Sequence, residues 1–306
     1  MKQQLRFTSE IGPRCFCILL VTYLSLFNSS VYACASCGSG GDDPLILFPW
    51  ETWKAHLGFA RVSDFELIDQ KGETGYEFGP ESRNTTIVSF GRAITNRSFV
   101  TLTAPYIVNQ RRERQMSGWG DPMVAVRYTM LQQSLENESI PQVQFIASYR
   151  TGDAVSVYET ADPARLDVRG SGVPEARVGI DLWSAMKSIK YGAAQTVTTP
   201  VGSKDSEIGD VKPGVAFRTT LTTGYGWGDQ GKVLCGVNRE YSFKKSLNGQ
   251  PLEDSEMLAH TAFLSADAMV QRNTNVRFTF AKSLGLLDHR NVSKSQTLTM
   301  AVQRSL

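Results

Sequence analysis

The chain has 306 residues, of which 20% are charged, and its formal net charge at pH 7 is +2. A charge so close to neutral gives no electrostatic signal for a nucleic-acid partner, and none is predicted. The 41% apolar fraction is slightly low for a globular protein of this size, and almost none of it follows helical periodicity. The composition therefore disfavours a helix-rich globular enzyme.

The N-terminus has the three parts of a secretory signal. Lys2, Arg6 and Arg14 supply positive charge, residues 15–27 form a short apolar run, and residues 31–35 offer small side chains for cleavage. The apolar run is too short to cross a bilayer as a helix. We predict a signal peptide at residues 1–33 and a periplasmic N-terminal segment at 34–52. A short N-terminal anchor is the alternative.

A cysteine pair, Cys34 and Cys37, is the one local constellation suited to cofactor chemistry. Two thiols at this spacing can bind a soft metal or form a disulfide in the periplasm, whereas covalent haem needs a histidine where Gly38 stands. A complete zinc site needs a second ligand pair, and none follows. Residues 31–34 also resemble a lipoprotein cleavage site, which would lipidate Cys34. We predict no cofactor, with a soft metal at the pair as the alternative.

Beyond the N-terminal segment, apolar and polar residues alternate with period two in twelve segments. They lie at residues 53–59, 84–94, 100–108, 122–130, 142–150, 175–182, 189–194, 211–221, 233–244, 258–270, 276–280 and 297–306. Period two is the pattern of a β-strand with one apolar face. The segment at 258–270 alternates less cleanly. The sequence therefore predicts an all-β fold of about 12 strands.

Connection lengths distinguish a membrane barrel from a soluble β-sandwich. Counted from a periplasmic N-terminus, the odd connections all span about ten residues or more: 63–83, 109–120, 151–172, 200–210, 245–256 and 283–294. The even ones are tight at 95–97, 184–188 and 272–274, and intermediate at 132–141 and 224–231. Long external loops and short periplasmic turns are typical of outer-membrane barrels. We predict an antiparallel up-and-down transmembrane β-barrel at residues 53–306. A secreted ligand-binding β-sandwich is the alternative.

The chain end and the aromatic residues agree with a barrel. Residues 297–306 alternate to the last position, the form by which barrel-insertion machinery recognises its clients, although Leu306 replaces the usual terminal aromatic. Tyrosine and tryptophan side chains lie mostly toward strand ends, as expected at a boundary between lipid and water. The predicted location is the outer membrane of a Gram-negative bacterium, with its lipid and its insertion machinery as partners.

The polar face of each predicted strand must then point inward. An arginine facing lipid at mid-bilayer costs about 2–4 kcal/mol, whereas an interior supplies water or acidic partners. The residues predicted to line a pore are Lys54, His56, Arg127, Arg150, Arg177, Asp181, Arg218, Glu240 and Arg277. Arg239 falls on the apolar face and fits only near a membrane interface, where it can snorkel.

One motif carries a family resemblance. Gly118-Trp119-Gly120-Asp121 precedes an alternating strand that ends in Arg127-Tyr128, shortly after the strand-like stretch at 99–106. This resembles the GxGD…Y signature of the outer-membrane family named after the meta-pathway of phenol degradation. The resemblance covers about thirty residues and implies a β-barrel porin or transporter. Uptake of hydrophobic or aromatic compounds is proposed for some members.

These patterns predict a channel or transporter for small solutes, either hydrophobic or anionic. A basic strip along the lumen would favour anions, whereas lateral passage would suit a hydrophobic molecule. A non-conducting structural or adhesion barrel is the alternative. His56, His260 and His289 do not lie beside a nucleophile motif, so no enzymatic activity is predicted.

Overall fold

The computed structural model describes residues 51–68, 71, 73, 81–132, 140–186, 188–206, 209–227, 230–271, 273–284 and 289–305. The strands are β1 (Trp53–Ile68), β2 (Ser82–Thr95), β3 (Ser98–Arg111), β4 (Arg114–Trp119), β5 (Met123–Leu131), β6 (Gln142–Arg150), β7 (Glu175–Met186), β8 (Ile189–Pro200), β9 (Lys204–Ser206), β10 (Gly209–Lys212), β11 (Ala216–Trp227), β12 (Gly231–Ser242), β13 (Ser246–Leu247), β14 (Gln250–Pro251), β15 (Met257–Gln271), β16 (Thr274–Ser283) and β17 (Val292–Ser305).

Twelve antiparallel strands close into a barrel. Each pairs with the next along the chain, and β17 pairs with β1 to complete the wall. The fourth barrel strand is divided, because β4 and β5 both pair with β3 and flank Gly120, Asp121 and Pro122. The predicted fold class is confirmed. Among the described residues no helix is long and apolar enough to cross a membrane. The predicted signal peptide and the Cys34–Cys37 pair lie outside the described residues.

Most predicted connection lengths hold, but two differ: the connection predicted at 224–231 is a turn of three residues, and the loop predicted at 109–120 is mostly strand. At one end the turns after β2, β7, β11 and β15 are two or three residues and the connection after β5 is ten, whereas the opposite end carries most of the long connections. By the usual rule the long-loop end is external and the other periplasmic. The predicted loop at 109–120 is wrong, because β3 and β4 extend it as a paired hairpin with a tight turn at Arg112.

Two external connections fold together into a small second sheet. Strands β9 and β10 come from the connection between β8 and β11, and β13 and β14 come from the connection between β12 and β15. This sheet contains Val211, which the alternation assigned to the lipid face of a barrel strand. That assignment is wrong: Val211 pairs with Leu247 in the external sheet and is buried.

The barrel turns its apolar side chains outward. Large apolar side chains that alternate along the strands are 40–60% exposed, so the apolar face of each strand lies on the outside of the barrel. Examples are Leu57, Phe59, Leu102, Val126, Ile180, Leu221, Leu264, Phe278 and Leu298. A soluble β-sandwich would bury such a face, so that alternative is excluded.

Aromatic side chains lie near both ends of this apolar belt. At the periplasmic end Trp53 stacks against Phe90, with the guanidinium of Arg92 4.5 Å from the Trp53 ring centroid. At the external end Tyr241 and Phe243 pack edge to face, with ring centroids 5.2 Å apart. Such rings suit a boundary that is apolar on one side and wet on the other. Arg239 is outward and exposed near this external girdle, where its guanidinium can reach water.

Candidate functional site

The inner face of the barrel collects the polar side chains. All nine residues predicted to line a pore lie on this face by strand register and pleat: Lys54, His56, Arg127, Arg150, Arg177, Asp181, Arg218, Glu240 and Arg277. All nine side chains are buried or partly buried. Whether solute passes along them remains a prediction.

The periplasmic half of the lumen contains buried ion pairs. Lys54 Nζ lies 3.0 Å from a carboxylate oxygen of Glu51, and Arg127 Nη1 lies 2.8 Å from Asp181 Oδ2. The Arg127 and Asp181 side chains are only 3% and 0% exposed, although they sit on β5 and β7 with β6 between them. Removing one partner would leave a buried charge uncompensated, which is strongly destabilising.

A second group of charges lies around Asp267 on β15. Its Oδ1 accepts a hydrogen bond from Arg277 Nε at 2.7 Å, and Lys232 Nζ lies 3.8 Å from its Oδ2. Lys190 on β8 is also buried and lies over Gly226, whose missing side chain leaves room for the lysine stem. Lys190 and Lys232 are the second residues of β8 and β12, at the periplasmic ends of these strands.

Apolar and aromatic side chains complete this packed half. The Trp183 ring lies against Gly192 on the neighbouring strand, where an added Cβ would be 2.5 Å from a ring carbon. Trp183 also contacts Leu234, so its side chain reaches from β7 toward β12. His56 Nδ1 and Gln303 Nε2 are 3.4 Å apart across the β1–β17 seam. Side chains therefore fill much of the lumen at this depth.

The external half of the lumen is less tightly packed. Arg218 donates two hydrogen bonds to Glu240, the shorter at 2.7 Å, and both side chains are about 30% exposed. Arg150 lies 3.4 Å from Glu175. Arg177 Nε donates to Thr198 Oγ1 at 3.1 Å. Asp181 and Glu240, both predicted to line the pore, thus pair with arginines.

The connection between β6 and β7, residues 151–174, enters the external mouth; we call it the inward loop. Leu166, Val173 and Ser156 within it are fully buried. Asn109, an inward residue of β3, donates hydrogen bonds from Nδ2 to the carbonyl oxygens of Leu166 and Val168, at 2.9 and 2.7 Å. A loop held by inward side chains lies inside the barrel and narrows its mouth.

The Gly-Trp-Gly-Asp motif is the docking point of this loop. Asp121 is buried, and its carboxylate accepts hydrogen bonds from the N–H groups of Ala154 and Ser171, both at 2.8 Å. Gly118 faces the Arg169 guanidinium, and a Cβ there would lie 1.7 Å from Nη1. A Cβ at Gly170 would lie 2.2 Å from the Asp121 carboxylate. The glycines therefore allow the loop to approach the wall closely.

Two acidic residues of the inward loop are tied to basic ones. The Ala164 N–H and the Arg114 guanidinium lower the pKa of the Asp162 carboxyl below its ordinary value. A hydrogen bond from Lys204 lowers the pKa of Glu159 in the same direction. Asp167 accepts from Thr160 and from the Ala161 N–H. These carboxylates fix the loop rather than forming a cation site.

Several lumen residues were missed by the sequence reading. The inward acids Glu51, Glu175 and Asp267 complete the ion pairs, and Lys190 and Lys232 add cations. The signal for Asp267 is the local alternation of Ser265 and Asp267 with Leu264 and Ala266, within the segment whose pattern is least clean. In the described part of the chain, no group of three or more His, Cys, Asp or Glu side chains could hold a metal ion.

Comparison with known proteins identifies the architecture. No protein-family model matches the sequence, and no curated protein matches it. The crystal structure of an outer membrane channel from Pseudomonas putida F1 aligns with a TM-score of 0.69 at 10% identity, over 87% of this chain and 98% of that one. The chain shares the β-barrel fold of that protein. The NanC porin aligns with a TM-score of 0.50 at 10% identity, covering 83% of this chain and 100% of the porin.

The apolar outer face places this outer-membrane barrel in the lipid of the outer membrane. At 10% identity the neighbours establish the fold and leave the solute open. The resemblance to the phenol-degradation family therefore stays a prediction, carried by the Gly118–Asp121 motif alone.

Proposed function

We propose that the protein is an outer-membrane channel for small solutes and that its lumen favours anions. One observation carries the proposal. In the periplasmic half of the described lumen, five cationic side chains face three carboxylates. The cations are Lys54, Arg127, Lys190, Lys232 and Arg277, and the carboxylates are Glu51, Asp181 and Asp267. Rings of inward charge set ion selectivity in barrel channels.

The packing of this region indicates how permeation would be controlled. The ion pairs are shielded from water, and a charge in such surroundings interacts strongly with its neighbours. An entering anion would interact with these lysine and arginine side chains, which outnumber the carboxylates in the described part of the lumen. The packed half thus acts as the selective constriction, and the inward loop narrows the path above it.

Planar-bilayer recording tests the proposal. The purified protein should give single-channel steps, and a potassium chloride gradient should produce a reversal potential of the sign for chloride preference. Lys190→Gln removes one buried cation and should move the reversal potential toward zero. Lys212→Gln is the matched control, because Lys212 is exposed in the external sheet. Cation preference in the unmodified protein would contradict the proposal.

A second candidate is a non-conducting structural or adhesion barrel. The observation that favours it is the near-complete burial of inward side chains such as Arg127, Trp183 and Lys232 in the periplasmic half. A protein that inserts fully, shows heat-modifiable migration on gels and gives no conductance at any voltage would support this second candidate.

The resemblance to the phenol-degradation family adds one element to the channel proposal, namely a solute with an apolar part.

A further inference from the structure

A cavity of about 270 Å³ lies in the external half of the lumen beside the inward loop. Its walls come from the inner faces of β2, β3, β5 and β6, and Arg169 and Gly170 of the inward loop close one side. The volume lies just below the range of about 300–1,000 Å³ that holds drug-sized ligands. The cavity therefore suits a smaller molecule, and it lies inside the barrel where an entering solute would meet it.

The wall of this cavity is largely apolar. Ile87, Pro105, Ile107 and Met123 point inward from three barrel strands and line it. This departs from the polar character of most inward positions in the barrel. Contact with apolar atoms of a ligand would remove apolar surface from water on both sides, at about 25 cal/mol per Å².

Two guanidinium groups at the cavity have only neutral acceptors. Arg83 donates from Nε to Asn109 Oδ1 and from Nη2 to the Val168 carbonyl oxygen, both at 2.9 Å. Arg169 donates from Nη1 to the Ser117 carbonyl oxygen at 2.9 Å. No carboxylate among the described residues forms an ion pair with either arginine, and Arg169 Nε is buried with no hydrogen-bond partner there.

Two carboxylates, those of Glu175 and Asp121, balance two of the three guanidinium groups at the cavity. Arg150 is paired with Glu175 at 3.4 Å. The Asp121 carboxylate is occupied by the N–H groups of Ala154 and Ser171 and offsets one of the two remaining guanidiniums. One positive charge is therefore left over, beside an apolar wall. This combination matches a ligand with one negative charge and an apolar body.

We propose that this cavity is a binding site for small monocarboxylates with an apolar body, a subsite on the path of the proposed channel. The carboxylate pairs with the guanidiniums of Arg83 and Arg169, and the apolar body lies against Ile107 and Met123. The inference rests on the proposed channel function only for its role in transport, because binding itself requires no conduction.

Isothermal titration with benzoate, on the purified protein in detergent, tests the site. Acetate, which has the charge without the apolar body, and benzamide, which has the ring without the charge, should each bind at least tenfold more weakly than benzoate. Arg169→Gln and Arg83→Gln should weaken benzoate binding by about ten- to a hundredfold, the range for loss of a charged hydrogen bond. Arg112→Gln is the matched control, since Arg112 is exposed at the tip of the β3–β4 hairpin.

A second variant separates the site from damage to the loop, because Arg83 and Arg169 also hold the inward loop. Thr85 lines the cavity and has no described side-chain hydrogen bond, so Thr85→Trp should fill the space and abolish benzoate binding with the loop in place. Equal binding of benzoate and benzamide, unchanged binding in Thr85→Trp, or no benzoate binding at all would overturn the inference.

The two proposals fail separately. Benzoate binding in a barrel that shows no conductance would support the binding site and contradict the channel proposal. Chloride-selective conductance with no measurable benzoate binding would support the channel proposal and contradict the binding site.

Discussion

Replacing Asp121 by asparagine should release the inward loop from the barrel wall. The Asp121 carboxylate accepts backbone N–H groups from both ends of the loop, Ala154 near its start and Ser171 near its end, each at 2.8 Å. Asparagine has the same shape and keeps one acceptor oxygen, but its amide nitrogen would face the other N–H group. The substitution therefore replaces one hydrogen bond by a clash of two donors without creating a cavity.

The size of the effect follows from these two bonds. A hydrogen bond to a charged group contributes about 1.5–3 kcal/mol, and a buried donor left without an acceptor adds to its loss. We expect the docked loop to lose about 2–4 kcal/mol of stability, counting one lost bond and one weakened bond. Since about 1.4 kcal/mol corresponds to a factor of ten, local opening should become roughly 30- to 700-fold more frequent.

Amide hydrogen exchange measures this opening directly. The Arg169 and Gly170 N–H groups bond to the Val155 carbonyl oxygen, beside the two residues that Asp121 holds, so their protection reports whether the loop keeps its folded form at Asp121. Both amides should exchange faster in Asp121→Asn by the factor above, while amides of β11 and β12 remain unchanged. Asp153→Asn is the matched control, because Asp153 is exposed within the same loop.

Unchanged protection of Arg169 and Gly170 in Asp121→Asn would refute this reasoning. It would mean that Asn109 and the buried loop side chains hold the segment without the carboxylate. Equal effects of Asp121→Asn and Asp153→Asn would refute it as well, since the loss of one negative charge alone would then explain the change.

Three further outcomes are expected. The pKa of Asp162 is lowered from 3.8, so its contribution to loop docking is present above pH 3.8 and is lost as pH falls through the lowered pKa. Amide exchange rates in the inward loop, corrected for intrinsic pH dependence, should therefore rise at low pH. The rise should be smaller in Asp162→Asn. Arg127→Gln, which leaves the Asp181 carboxylate buried beside a neutral side chain, should lower unfolding free energy in urea by about 3–5 kcal/mol, whereas Arg112→Gln should not. Val126→Arg should cost about 2–4 kcal/mol in lipid, and Val126→Thr much less, because Val126 faces outward.

The direction of the inward side chains is predictable from the sequence because the pleat fixes it. Side chains on a strand alternate strictly between faces, so an arginine flanked by apolar residues identifies the interior once the apolar face is known to meet lipid. A β-bulge would reverse the assignment for part of a strand. The register shifts at Ser63–Glu66, Ala93–Thr95, Thr129–Leu131 and Met269–Gln271 lie near strand ends, so His56, Arg127 and Arg277 are unaffected.

The inward loop could not be predicted in the same way. Its position depends on contacts between residues far apart in sequence, such as Arg83 with Val168, which are 85 residues apart. A period-two pattern contains no information about such pairs. The glycines at 118, 120, 152, 170 and 172 were the available signal, because each leaves room for close approach of backbone or side chain. The small external sheet was missed for the same reason, since its strands come from two separate connections.

The inward loop also constrains the order of biogenesis. It follows β6 in the chain but attaches to residues of β2, β3 and β4, so that part of the wall must exist before the loop has anywhere to bind. Closure of the mouth therefore depends on earlier pairing of β2, β3 and β4, the strands that supply the contacts.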